Sequence, residues 1–158
     1  MHLEGHFTVT APQADVYEFL TDPSKVSRHM PDVTDVTIDD PDHFTVTARV
    51  GVAHIKGSMV VKLEIRDRRP PVGTTVVGRG SGLASIVDMV TSFTLEPNPG
   101  TRSSDVDQST TVHWRADVTI SGKLAAFGPQ GLLDRIARRN IDAFVGGIRA
   151  GLLSQSGA

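Results

Sequence analysis

One alternation limits the folds open to this chain more than any other feature of it. In "TTVHWRADVTIS", Val112, Trp114, Ala116, Val118 and Ile120 fall on one side, and His113, Arg115 and Asp117 on the other. Period two is the side-chain period of a β-strand, and a strand with a single apolar face belongs to a sheet covered on one side. "HIKGSMVVKLEIRDR" repeats the pattern, with Met59, Val61, Leu63 and Ile65 opposite Lys62, Glu64 and Arg66. "LEGHFTVTA", "DVTDVTIDD" and "HFTVTARV" read as further strands, the last two joined through Asp40-Pro41-Asp42 as a hairpin. "GTTVVGRGSG" and "LASIVDMVTSFTLEP" complete the set.

Helices stand only at the two ends. "PQADVYEFLTD" places Val16, Phe19 and Leu20 at helical spacing, and Pro12 can start it. "PSKVSRHM" is a second short helix, closed by Pro31. The last helix is expected from near Pro129 to about Leu153. Its stripe is Leu133, Ile136, Ala137, Ile141, Phe144, Ile148 and Leu152, with Arg135, Arg138, Arg139, Asp142 and Arg149 largely off it. Strands in an uninterrupted run, with helices segregated at the ends, make an α+β domain whose helices cover one face of an antiparallel sheet. One domain over 1–153 is expected, with 154–158 a disordered tail; the polar segment "NPGTRSSDVDQS" reads as a mobile loop.

The long helix raises a question about its interior. Gly146 and Gly147 each cost about 0.5–1 kcal/mol relative to alanine there. Close approach to a neighbour, a bend, or room for a ligand would each explain them. The inward set of the sheet, Phe44, Val46, Ala48, Met59, Val61, Leu63, Val87, Met89, Phe93, Trp114, Ala116 and Val118, mixes large and small groups. It suits a solid core or a hollow one, and the methionines suit irregular space.

Composition narrows the chemistry. With no cysteine, disulfides, thiolate metal sites and thiol nucleophiles are out, and a cytoplasmic location is the natural expectation. A net charge of -2 offers no general attraction to nucleic acid. No apolar run approaches the roughly 20 residues of a membrane helix, so no integral membrane segment is expected. His2, His6, His29, His43, His54 and His113 show no ligand spacing, so no metal and no cofactor are expected. "GRGSG", Gly78 to Gly82, lacks the Lys-Ser/Thr and helix of a phosphate loop and reads as strand curvature. Asp88 faces solvent if Val87 and Met89 face inward; in the opposite register it would be a buried carboxylate suited to acid–base work. The clusters Arg66, Arg68, Arg69 and Arg135, Arg138, Arg139 read as solvated faces, with weak contact to an acidic partner or anionic lipid the alternative.

"GHFTVTAPQADVYEFLTDPSKVSRHMPDVTDV" resembles the entry of the START-like, Bet v 1-like helix-grip superfamily. "WRADVTISGKLAAFG" followed by a helix is similar to the signature of the CoxG family, the G subunits of carbon monoxide dehydrogenase. "MPDV", Met30 to Val33, stands where that family has Leu-Pro-Gly-Val. The resemblance implies a curved seven-stranded antiparallel sheet around the long C-terminal helix, with two short helices after the first strand and an apolar cavity between. It further implies an accessory, non-catalytic role beside a molybdenum hydroxylase of the CO-dehydrogenase type, carrying a lipid or quinone-like molecule. Many members continue into a membrane-binding segment. This chain stops at "LLSQSGA", which shifts the expectation toward a soluble binder, with peripheral membrane contact and oligomeric state left open.

Alternation and resemblance together nominate the ligand-lining residues: Phe44, Val46, Met59, Val61, Leu63, Met89, Phe93 and Trp114 from the sheet, and Ile141, Phe144 and Ile148 from the helix. Two alternatives compete. A cavity enzyme of the cyclase or dehydratase type would need polar groups inside, with Asp88 or Tyr17 first in line. A docking module would have a filled core and no ligand.

Overall fold

A computed structural model of the chain describes residues 1–52, 54–98, 109–130 and 132–156. Of the expected loop at 98–109, residues 99–108 lie outside the described residues, while Asn98 and Ser109 are a pair of strand residues that end β6 and open β7. Strand β1 is His2–Val9; helices α1 and α2 are Gln13–Leu20 and Pro23–Val26, followed by a 3-10 turn at Ser27–His29. Six strands come next: β2 Val33–Asp40, β3 His43–Val52, β4 Ile55–Arg69, β5 Gly73–Gly82, β6 Ser85–Asn98 and β7 Ser109–Gly122. A 3-10 segment, Lys123–Gln130, leads into helix α3, Leu132–Ser156.

The seven strands form one curved antiparallel sheet in the order β1-β7-β6-β5-β4-β3-β2. Strands two to seven are a meander, while β1 crosses through α1 and α2 to pair with the last strand. This is the helix-grip architecture. Its helices lie on the apolar face, because alternation leaves each strand only one such face to bury.

The ends of the short helices follow from local chemistry. The Pro12 carbonyl accepts from the amides of Asp15 and Val16 and opens α1. Asp22 caps α2, taking the Ser24 amide at 2.9 Å and its hydroxyl at 2.7 Å. Burial opposes the charge on Asp22, yet these two bonds and neighbouring Lys25 hold its carboxyl below the usual value. Arg68 locks the crossing in place: Nε donates to Asp42 at 2.7 Å, and Nη2 to the carbonyls of Pro41 at 2.7 Å and Thr21 at 3.2 Å. That basic cluster is thus partly structural.

Two details depart from the sequence-based expectation. Helix α3 starts at Leu132 rather than near Pro129, because residues up to Gln130 wind as 3-10; at its other end it continues to Ser156, into the expected tail. Leu83 and Ala84, expected as the start of a strand, form the β5–β6 turn with φ of 54° each. A turn carried by leucine and alanine has none of the Gly/Asn chemistry by which such turns are read. Asp32, in the "MPDV" turn before β2, adopts φ 60°, a conformation aspartate tolerates better than most residues.

Candidate functional site

The concave face is built from one parity of each strand. Odd positions of β6 (Ser85, Val87, Met89, Phe93, Leu95) and even positions of β7 (Thr110, Val112, Trp114, Ala116) turn toward the helices, with Met89 opposite Val118 and Phe93 opposite Trp114. Asp88 consequently points away from the concavity; its side chain is 54% exposed and lies 3.6 Å from Arg79. Tyr17, the other candidate for catalysis, is buried in the α1 layer. Its hydroxyl lacks a hydrogen-bond partner among the described residues; burial pushes its pKa up, while adjacent Arg68 and Arg69 pull the other way.

Apolar packing on this face gathers in three clusters. At one end α1 and the C-terminal half of α3 close over β1, β6 and β7, through Phe7, Val9, Val16, Phe19, Leu95, Val112, Ile148 and Leu152. Beside it Val26, Phe44, Val46, Leu63 and Ile65 form a second, and Ile55, Met59 and Leu124 a third at the far end, which Ile136 of α3 joins. Phe144 touches both the first and the second.

The nominated residues therefore divide. Phe44, Val46, Met59, Leu63 and Ile148 are at most 5% exposed and are consumed by these clusters. Val61, Met89, Phe93, Trp114, Ile141 and Phe144 are only half-buried. Val61, Met89, Phe93, Trp114 and Phe144 pack against the first and second clusters without being sealed into them, and with Ile141 they make a half-buried belt.

Glycines define how close the walls come. Gly78 and Gly80 of β5 lie in a strand paired on both sides rather than in a loop. A Cβ on Gly78 would come within 2.7 Å of Met89 Cε and 2.9 Å of Leu63 Cδ2, so its missing side chain is what admits those two. On α3, a Cβ at Gly147 would meet the His29 carbonyl oxygen at 2.8 Å, and one at Gly151 would meet Phe19 Cζ at 2.6 Å. Gly146 faces open space. Close helix approach to the Ser27–His29 turn, not room for a ligand, thus explains Gly147.

A cleft of about 570 Å³ opens between the edge strand β1 and α3, lined by Gly5, Phe7, Trp114, Ile141 and Val145 with Arg138, Asp142 and Arg149 at its rim. Trp114 forms part of its wall: a Cβ on Gly5 would lie 2.9 Å from the indole Cζ2. Arg149 ends the opening by donating to the Thr8 carbonyl at 3.1 and 3.3 Å. Of these residues, sequence reasoning nominated Trp114 and Ile141. Arg138, Asp142, Val145 and Arg149 share one helical face with Ile141, a readable signal; Gly5 opposite Trp114 is a register fact that no local pattern carries.

The convex face is polar. His2 binds Asp117 at 2.8 Å and Glu4 at 3.3 Å, His113 binds Glu96 at 3.1 Å, and the His6 and His113 rings lie 5.8 Å apart. Among the described residues no group of three or more His, Asp or Glu could hold a metal ion, and no helix is long and apolar enough to cross a membrane.

The model of the CoxG family, the G subunits of carbon monoxide dehydrogenase, matches residues 5–153, and the chain belongs to that family. No curated protein matches the chain in sequence. Among solved structures, a conserved protein from Geobacillus kaustophilus is similar with a TM-score of 0.85 at 22% identity, over 98% of this chain and 96% of that one. A START superfamily protein from Mycobacterium smegmatis has a TM-score of 0.71 at 10% identity, over 98% of both chains. The Zhui aromatase/cyclase from Streptomyces sp. R1128 has a TM-score of 0.67 at 17% identity, over 99% of this chain and 95% of that one. At these identities the likeness is one of fold.

Proposed function

We propose that this CoxG-family domain binds an apolar small molecule, a lipid or quinone, between the curved sheet and α3, and carries it without transforming it. The supporting observation is the half-buried belt of Val61, Met89, Phe93, Trp114, Ile141 and Phe144, which points inward yet is left short of full burial by the three clusters around it. A ligand covering about 200 Å² of apolar surface there would gain on the order of 5 kcal/mol. Family membership favours a role as accessory factor of a CO-dehydrogenase-type molybdenum hydroxylase, in the cytoplasm. Catalysis on the same ligand would need a polar group in the belt, and Asp88 faces the other way.

Native mass spectrometry of the purified protein, followed by organic extraction, tests the proposal. A stoichiometric lipid or quinone is expected, lost in Phe144→Asp, where a carboxylate would enter the belt. An apo mass that takes up neither added quinones nor fatty acids would overturn it.

A further inference from the structure

We infer that the cleft between β1 and α3 seats the polar end of the ligand, and that this end is anionic: the preferred cargo is an amphiphile with a carboxylate head. The inference rests on the carrier reading above and goes beyond it in naming the head-group chemistry.

Its basis is a set of donors without acceptors at the cleft. The Trp114 indole N–H makes no hydrogen bond to a described residue, and neither does the Arg138 guanidinium; both side chains line the opening. A third kind of donor comes from the sheet. β1 is an edge strand. The Met1 carbonyl accepts from the Val118 amide, while that of Thr8 turns outward to Arg149. Backbone groups alternate in direction along an edge strand, so Glu4 and His6, which both line the cleft, present their N–H and C=O groups outward, the N–H groups being the donors of interest. Two carboxylates share the lining. Glu4 is engaged by His2 at 3.3 Å, with Arg115 at 3.9 Å, while Asp142, exposed like Arg138 and one helical turn beyond it, is the one carboxylate of the cleft lining with no ion pair among the described residues.

Beside these donors the cleft wall is apolar, with Phe7, Ile141 and Val145, and Phe93 and Phe144 of the belt pack against the same cluster as Trp114 and Val145. A carboxylate at the mouth would accept from Arg138, the indole N–H and the edge amides, and its chain would run under α3. Charge-assisted bonds of this kind are the stronger ones. A volume of about 570 Å³ suits a small-molecule head and the start of a chain.

Trp114 is the sole tryptophan, so its fluorescence reports the cleft directly. Decanoate and decanol, equal in chain length and different in charge, are titrated against the full chain and against Arg138→Gln. Decanoate should bind the wild type more tightly than decanol, and Arg138→Gln should weaken decanoate about tenfold, the loss typical of a charged hydrogen bond, without changing decanol. Equal affinities for the two in the wild type, or an Arg138→Gln variant that binds decanoate unchanged, would overturn the head-group assignment and leave the carrier reading standing. Failure of both compounds to bind, with an apo mass in the native spectrum, would overturn both together.

Discussion

Two adjacent glycines on one helix should respond to the same substitution with opposite signs. Gly146→Ala adds a methyl to open space, where no atom beyond its own stretch of helix lies within 4 Å, and recovers about 0.5–1 kcal/mol of helix propensity. Gly147→Ala recovers the same propensity but drives its Cβ to 2.8 Å from the His29 carbonyl oxygen and 2.9 Å from His29 Cβ. Contact between such atoms is comfortable at roughly 3.5–4.0 Å, so α3 must withdraw by about an ångström or the Ser27–His29 turn must move. Neither obstacle is the far end of a flexible side chain. Withdrawal would also loosen Ile148 and Leu152, 0% and 5% exposed. Overpacking of this kind costs about 1–3 kcal/mol, which leaves Gly147→Ala destabilised by roughly 0.5–2 kcal/mol after the propensity gain. For a domain of this size the two melting temperatures should part by several degrees, at about 2–4 °C per kcal/mol. Urea unfolding followed by circular dichroism and Trp114 fluorescence measures both. If Gly147→Ala proves as stabilising as Gly146→Ala, the close approach of α3 to the turn is wrong, and the space beside Gly147 is free after all.

The β5–β6 turn offers a second test: Ala84→Gly relieves a φ of 54° and should stabilise the protein by up to about 1 kcal/mol, less the entropy glycine loses on folding, read as a rise in the urea midpoint at unchanged slope. Titration should show His2 and His43 above the ordinary histidine value, raised chiefly by hydrogen bonds to Asp117 and Asp40. Their protons are then bound more tightly in the folded chain. The stabilisation is fully present below pH about 6.5 and is lost as pH rises through the raised values. NMR titration of the two imidazoles, with His2→Gln and His43→Gln as controls, checks the sign; folded values at or below 6.5 would contradict the pairing.

Much of the architecture was legible because it is written in short-range periodicities. The alternation in "TTVHWRADVTIS" and "LASIVDMVTSF" leaves only two choices of inward face, and the structure takes the one with Val87 and Met89 inward and Asp88 outward. Segregation of helices to the chain ends, with the CoxG-like "WRADVTISGKLAAFG", carried the helix-grip fold. The turn at Leu83–Ala84 was hidden because its residues are not those that favour positive φ.

The candidate site was legible only in part. Its sheet and helix residues turn inward as their spacing predicts, but nothing local separates Phe44 and Leu63, sealed into a cluster, from Met89 and Phe93, left half-buried beside them. That division depends on how far α3 stands from each strand. The distance is set by the contacts of Gly147 with His29 and Gly151 with Phe19, and by the hold of Arg149 on Thr8, 141 residues away in the chain. Periodicity reports the direction of a side chain because one element's backbone determines it. A gap between elements is a difference of packing distances among several of them, and only the assembled structure sums those.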